Sequence, residues 1–84
     1  VPISSQKSMV GHSMGASGAI EAVVTTLTVA TGRITPTVNL EHLDPRLEGL
    51  DVVPNQGREA KVRHALSNSF AFGGHNCTLV FSRY

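Results

Sequence analysis

At 84 residues the chain is at most one small domain, and chains of this size bury only roughly 60% of the surface they expose when unfolded. Its single cysteine, Cys77, excludes an internal disulfide, and no C-x-x-C or H-x-x-x-H spacing marks a zinc site; the chain therefore reads as reduced and cytoplasmic, or as part of something larger. Seven Lys and Arg against six Asp and Glu leave a net charge of +1, too weak a basic field for nucleic acid, and the loose group Arg58, Lys61 and Arg63 reads as solvated surface.

Residues 2–6 are short and mixed, as at a strand end that leads into a loop. The run Lys7-Ser8-Met9-Val10-Gly11-His12-Ser13-Met14-Gly15-Ala16-Ser17-Gly18 then gathers a cation, an imidazole, hydroxyls and three glycines. From Gly11 to about Thr31 a helix is predicted, because Ile20, Val23, Val24 and Leu27 recur at helical spacing. Gly11, Gly15 and Ala19 form one small-residue row and Gly18 and Ala22 another, so the helix backbone is expected to approach a neighbour closely. Each glycine costs about 1 kcal/mol against alanine in a helix, which calls for such a reason. Gly32 supplies the C-cap.

Glu21 is the one charge between Ser13 and Gly32. A surface helix carries a polar stripe, so this one is expected to be buried nearly all round, which a chain of this size cannot do alone. A buried carboxylate must be paired, protonated or metal-bound. An ion pair with Lys or Arg, a cation site and simple exposure all stand open for Glu21. The same apolar span raises a membrane question; a charge at its centre and the lack of flanking basic anchors argue against it. No signal-peptide pattern is visible.

Thr35 to Leu40 is extended by virtue of Pro36. Asp44-Pro45 and Gly49 make Glu41 to Leu50 a region of turns. Leu50 to Pro54 is a short strand, and Asn55 to Lys61 a polar loop. Residues 62–67 and 77–82 alternate with period two and read as strands. Gly73-Gly74 forms a tight turn between them, so the two can pair as a hairpin with an aromatic-bearing loop. A helix followed by strands predicts an α/β fold, with one long buried helix on a mixed sheet of about three or four strands.

Two readings compete for the glycine-rich run. Gly11-His12-Ser13-Met14-Gly15 has the form of a G-x-S-x-G elbow, with Ser13 as the nucleophile of a serine α/β-hydrolase; Asp44 or Asp51 followed by His64 or His75 would complete the order of a triad. An elbow needs an apolar strand ahead of the serine, however, and Ser4-Ser5-Gln6-Lys7-Ser8 is polar. The other reading makes His12 the reactive group.

That second reading uses the whole chain. Lys7 to His12, Gly15 to Ala22, Pro36-Thr37-Val38-Asn39-Leu40, Leu50 to Asn55, and Ser67-Asn68-Ser69-Phe70-Ala71-Phe72-Gly73-Gly74 together resemble the C-terminal part of elongating β-ketoacyl-[acyl-carrier-protein] synthases, in order and in spacing. The Gly-Gly-His-Asn turn and the Phe-Ser-Arg-Tyr ending look like the actinobacterial branch. The resemblance implies the thiolase fold, an αβαβα sandwich of two similar halves, of which residues 1–84 would be a partial C-terminal half-domain.

It also implies decarboxylative Claisen condensation of malonyl-carrier protein with an acyl thioester, in fatty-acid or polyketide elongation. Its partners would be acyl carrier protein, the thioester substrates, and the rest of the ketosynthase with its cysteine nucleophile and first histidine. A homodimer is implied for the full-length form, with no nucleic acid and no membrane. His12 matches the second histidine, of the K-S-x-x-G-H motif, and Lys7 the motif lysine. A neutral imidazole N–H can stabilise charge developing on the thioester oxygen, so His12 is expected to act as a hydrogen-bond donor.

Phe72 matches a phenylalanine whose backbone N–H enters the oxyanion hole and whose ring gates the acyl pocket. Where family members usually carry glycine, this chain has Ala71. Glu21, Ser67 and Asn68 match positions around a monovalent cation in some members; no other cofactor is implied. Cys77 is not the family nucleophile and reads as a small buried residue. The isolated 84-residue chain is expected to be inactive. A non-catalytic ketosynthase-like assembly subunit is the alternative of another class.

Overall fold

A computed structural model describes all residues, Val1–Tyr84. The strands are β1 (Pro2–Ile3), β2 (Arg33–Ile34), β3 (Asp51–Val52), β4 (Arg58–Glu59), β5 (His64–Ala71) and β6 (His75–Ser82); the helices are α1 (Lys7–Val10) and α2 (Ser17–Thr31), with 3-10 turns at Met14–Ala16 and Pro45–Leu47. Helix and strand are mixed, as expected, but the helix begins later than its apolar period suggests. Gly11 ends α1 at φ 76°, ψ −172°, a combination essentially reserved for glycine. His12 and Ser13 follow as loop, so Gly11 lies outside the helix row to which its spacing assigns it. Gly32 closes α2 in the left-handed conformation, its N–H donating to the Thr28 carbonyl.

The strands do not join into the one mixed sheet expected. They form three two-stranded pieces: β1 with β3 in parallel, β2 with β4 antiparallel, and the β5–β6 hairpin. Val53 knits the first piece to the proline-extended segment: its N–H donates to the Ile3 carbonyl at 2.9 Å, and its carbonyl accepts from Thr37 N–H at 2.8 Å. Thr37 also bridges Pro54 in parallel. Pairing β4 with β2 places Arg58–Glu59 in a strand within what reads as polar loop. The hairpin is as expected and longer, with eight residues in each strand. Its last pair is Ala71 with His75. The turn is thus Phe72-Gly73-Gly74, with both glycines at positive φ, and the aromatic stretch before it is strand rather than loop.

α2 lies against β5 and β6. A Cβ added at Gly18 would stand 3.9 Å from the Ser69 hydroxyl, which marks where helix and hairpin meet. Close approach at the other two glycines of the rows is not seen, since added Cβ atoms at Gly11 and Gly15 would meet nothing within 4 Å.

Nor is the helix buried on all sides here. Only Val29, Val53, Glu21 and Ser67 are buried in the whole chain, while Val23 and Leu27 of α2 are 60% and 56% exposed. Cys77 is exposed on β6, not buried as its period-two strand suggests. Met14–Thr31 has the length and mean hydropathy, 1.2, of a membrane-crossing helix. In this fold that stretch holds a paired carboxylate and carries the hairpin along one side.

Candidate active site

The site is built where α1 breaks. Four residues of helix, a glycine-only kink and a 3-10 turn present His12 ahead of α2. Met14 has φ 49°, and its backbone N–H donates to His12 Nδ1 at 3.0 Å. A nitrogen that accepts carries no proton, so the neutral ring is the Nε2–H tautomer. The imidazole is exposed, leaving Nε2–H free to donate outward. The expected donor role thus has a physical basis in a backbone hydrogen bond from the residue two places on.

Lys7, at the start of α1, turns to α2 instead. Its ammonium forms an ion pair with Glu21, whose side chain is 9% exposed against 38% for that of Lys7. Of the three open states of Glu21, the structure shows the ion pair. Glu21 is therefore not unpaired in its buried setting, and Lys7 is held as a fixed positive charge.

Glu21, Ser67 and Asn68 do line one open cleft of about 960 Å³, together with Lys7. The Asn68 side-chain carbonyl already accepts from the Thr78 hydroxyl at 2.8 Å, and no buried side-chain polar atom lacks a partner. Lys7 supplies a positive charge beside Glu21 at this cleft. No group of three or more His, Cys, Asp or Glu gathers elsewhere.

Phe72 stands at the apex of the hairpin with its ring fully exposed. Ser69, three residues before it, faces Gly18 near the start of α2. The hairpin tip therefore lies at the end of α2 that carries His12. Ser13 is not a nucleophile elbow. The chain enters it from α1 and Gly11-His12 rather than from a strand, and its backbone, at φ −96°, ψ 29°, is unstrained.

Some supporting residues carry little sequence signal. The Ser8 hydroxyl donates to the Ser5 carbonyl and accepts from Val38 N–H, each at 2.9 Å; Thr37 Oγ1 accepts from Ser5 N–H at 2.9 Å. Together they fasten α1 to the extended segment. Asn55 grips Leu40 through both its amide oxygen and its amide nitrogen. Ser17 Oγ accepts from Ser13 N–H at 2.8 Å. Only the density of hydroxyls around Gly11-His12 hints at such a net.

The chain is similar to known proteins in sequence and in fold. The family model described as the β-ketoacyl synthase C-terminal domain matches residues 1–41. A 3-oxoacyl-[acyl-carrier-protein] synthase 2 of Synechocystis is 54% identical over 84 residues, covering 100% of this chain and 20% of its own length. The synthase of the same name from Staphylococcus aureus is 43% identical over 82 residues, covering 98% of this chain and 20% of its own. A solved type II polyketide ketosynthase, in complex with its acyl-carrier protein, superposes with a TM-score of 0.94 at 37% identity, over 100% of this chain and 20% of that one.

The chain matches the C-terminal part of the β-ketoacyl synthases in sequence and in fold. The ishigamide ketosynthase/chain length factor adds a second fold match, with a TM-score of 0.88 at 47% identity over 93% of this chain and 19% of that one. The chain thus spans about a fifth of the length of the relatives it matches. Its fold is the thiolase-like one, with one main helix.

Proposed function

We propose that the segment supplies the second histidine, its fixed lysine and the phenylalanine-bearing hairpin to the active site of a β-ketoacyl-[acyl-carrier-protein] synthase. The observation that carries this is the hydrogen bonding of His12, an exposed residue whose Nδ1 is occupied by Met14 N–H, which leaves the ring proton on Nε2. In the condensation, a malonyl thioester held on acyl carrier protein loses carbon dioxide, and the electron pair of the broken bond moves onto the thioester enolate. The His12 Nε2–H donates to the oxygen on which that charge collects. The α-carbon then attacks an acyl thioester, and the thiolate that carried the acyl group leaves. This chain's one cysteine is Cys77 on β6, so the acyl-bearing thiol comes from the rest of the ketosynthase, and the isolated segment has no turnover.

Lys7, paired with Glu21, supplies a fixed positive field rather than accepting a proton. Phe72 offers its backbone N–H to the acyl carbonyl and its ring as a gate at the hairpin tip. Exposed Val23 and Leu27 on α2 give the remaining four-fifths of the protein an apolar face to cover. A homodimeric full-length form and a cytoplasmic setting go with this reading. A non-catalytic assembly subunit would have no use for the oriented donor at His12.

The test is His12→Ala in the full-length protein, assayed separately for malonyl decarboxylation and for condensation. Loss of one preorganised donor is expected to lower kcat by about 100-fold, with KM for the carrier-bound substrate little changed. Full activity in His12→Ala would overturn the proposal.

A further inference from the structure

We infer that Ser17 is a positioning residue for His12, its hydroxyl tying the loop that carries the imidazole to the first turn of α2 and giving Nδ1 a second polar neighbour. This rests on the role proposed for His12.

The loop between α1 and α2 has few anchors. Neither α1 nor the 3-10 turn has a side-chain cap at its start. The 3-10 turn contributes two backbone bonds, Ala16 N–H to the Ser13 carbonyl at 3.0 Å and Ser17 N–H to the Met14 carbonyl. Among side chains, Ser17 reaches back across the loop: its Oγ accepts from Ser13 N–H at 2.8 Å. That leaves the hydroxyl proton of Ser17 to donate, and His12 Nδ1 stands 3.5 Å from Oγ.

Nδ1 has one lone pair, and Met14 N–H occupies it at 3.0 Å, so the hydroxyl is the weaker second contact. The Met14 N–H, a donor only, favours an unprotonated Nδ1, and the Ser17 hydroxyl is compatible with it. A proton there would confront the Met14 N–H, donor against donor. Ser17 therefore acts on the ring by fixing the backbone of Ser13, the residue after it, and so the loop from which Met14 N–H holds the tautomer with the proton on Nε2.

The experiment uses the full-length protein with Ser17→Ala, Ser17→Thr, Thr26→Ala and His12→Ala. Alanine is the better helix former, so Ser17→Ala is compatible with α2. Thr26 on the same helix donates its hydroxyl to the Ala22 carbonyl, and Thr26→Ala removes a hydrogen bond remote from the loop. Ser17→Ala is expected to lower kcat about 5- to 10-fold, the loss of one positioning hydrogen bond, at unchanged KM. Ser17→Thr, which keeps the hydroxyl, is expected to recover most of it.

The 15N shifts of His12 provide the readout that a merely structural role would not move. In the parent protein Nδ1 should resonate as an unprotonated nitrogen and Nε2 as a protonated one, and Ser17→Ala should draw the two shifts toward each other. If Ser17→Ala keeps both the parent kcat and the parent shifts while His12→Ala is inactive, the inference about Ser17 is overturned and the role of His12 stands. The same holds if Thr26→Ala lowers kcat as much as Ser17→Ala does. If His12→Ala itself remains active, the role of His12 falls and the inference falls with it.

Discussion

Gly11→Ala isolates the backbone conformation that presents His12. Gly11 sits at φ 76°, ψ −172°, where a residue with a Cβ carries strain of order 1–3 kcal/mol. A Cβ built at this position meets nothing within 4 Å, so steric contact within the segment adds nothing and the cost is conformational. The chain can hold the kink and remain strained, or relax φ and swing His12 away from Met14. Hydrogen bonds of the kind made by Met14 and Ser17 stabilise by about 1 kcal/mol each, too little to enforce the strained form completely.

A penalty of that size lowers the population of the competent loop about 5- to 150-fold, at roughly 1.4 kcal/mol per factor of ten. In full-length protein kcat should therefore fall about 5-fold or more. The thermal midpoint should drop much less, because the relaxed loop escapes most of the strain. Gly15→Ala is the reference: it has no positive φ and its added methyl meets nothing within 4 Å, so it should keep kcat within about two-fold. Steady-state condensation kinetics beside a thermal melt read both quantities. A Gly11→Ala enzyme with parent kcat would refute the claim that this kink orients His12.

Two further outcomes follow from the charge pairs. Glu21→Gln leaves the Lys7 ammonium beside a neutral amide; because the Lys7 side chain is 38% exposed, solvent compensates in part. The urea midpoint should then fall by the equivalent of about 1–2 kcal/mol rather than the 3–5 kcal/mol of a fully buried pair, and an unchanged midpoint would show the pair to be idle. Asp51 accepts two guanidinium hydrogen bonds from Arg58, at 2.7 and 2.8 Å, and these hold its carboxyl below the usual value of 3.8. With the folded value the lower one, the pair stabilises fully above that usual value and its contribution is lost as pH falls through the folded value. Unfolding midpoints of parent and Asp51→Asn should differ at pH 7 and converge once the pH has fallen below the folded value of Asp51; equal midpoints at pH 7 would count against the pair.

Much of the segment is legible without coordinates because local chemistry decides it. The Gly73-Gly74 turn between two alternating runs specifies a hairpin, Gly32 specifies a helix end, and Pro36 specifies extended chain, each through φ, ψ preferences of one or two residues. The ordered set of motifs from Lys7-Ser8 to Phe72-Gly73-Gly74 carries the resemblance to the β-ketoacyl synthases in the same residue-by-residue way. Where α2 begins is not local in that sense. Apolar periodicity continues back through Gly11, yet periodicity reports which side of a helix would be apolar and not whether the backbone stays helical, and the kink at Gly11 interrupts it.

The tertiary structure alone decided three matters. It gave Glu21 to Lys7, because an ion pair 14 residues apart in sequence forms only when the chain path brings the start of α1 within side-chain reach of α2. It divided the strands into three pairs instead of one sheet, because strand registry depends on which segments lie side by side. It also set the tautomer of His12, because Met14 can aim its N–H at Nδ1 only from a backbone conformation that no residue pattern announces. Sequence named the groups and their family; the chain's path in space determined which of those groups hold one another.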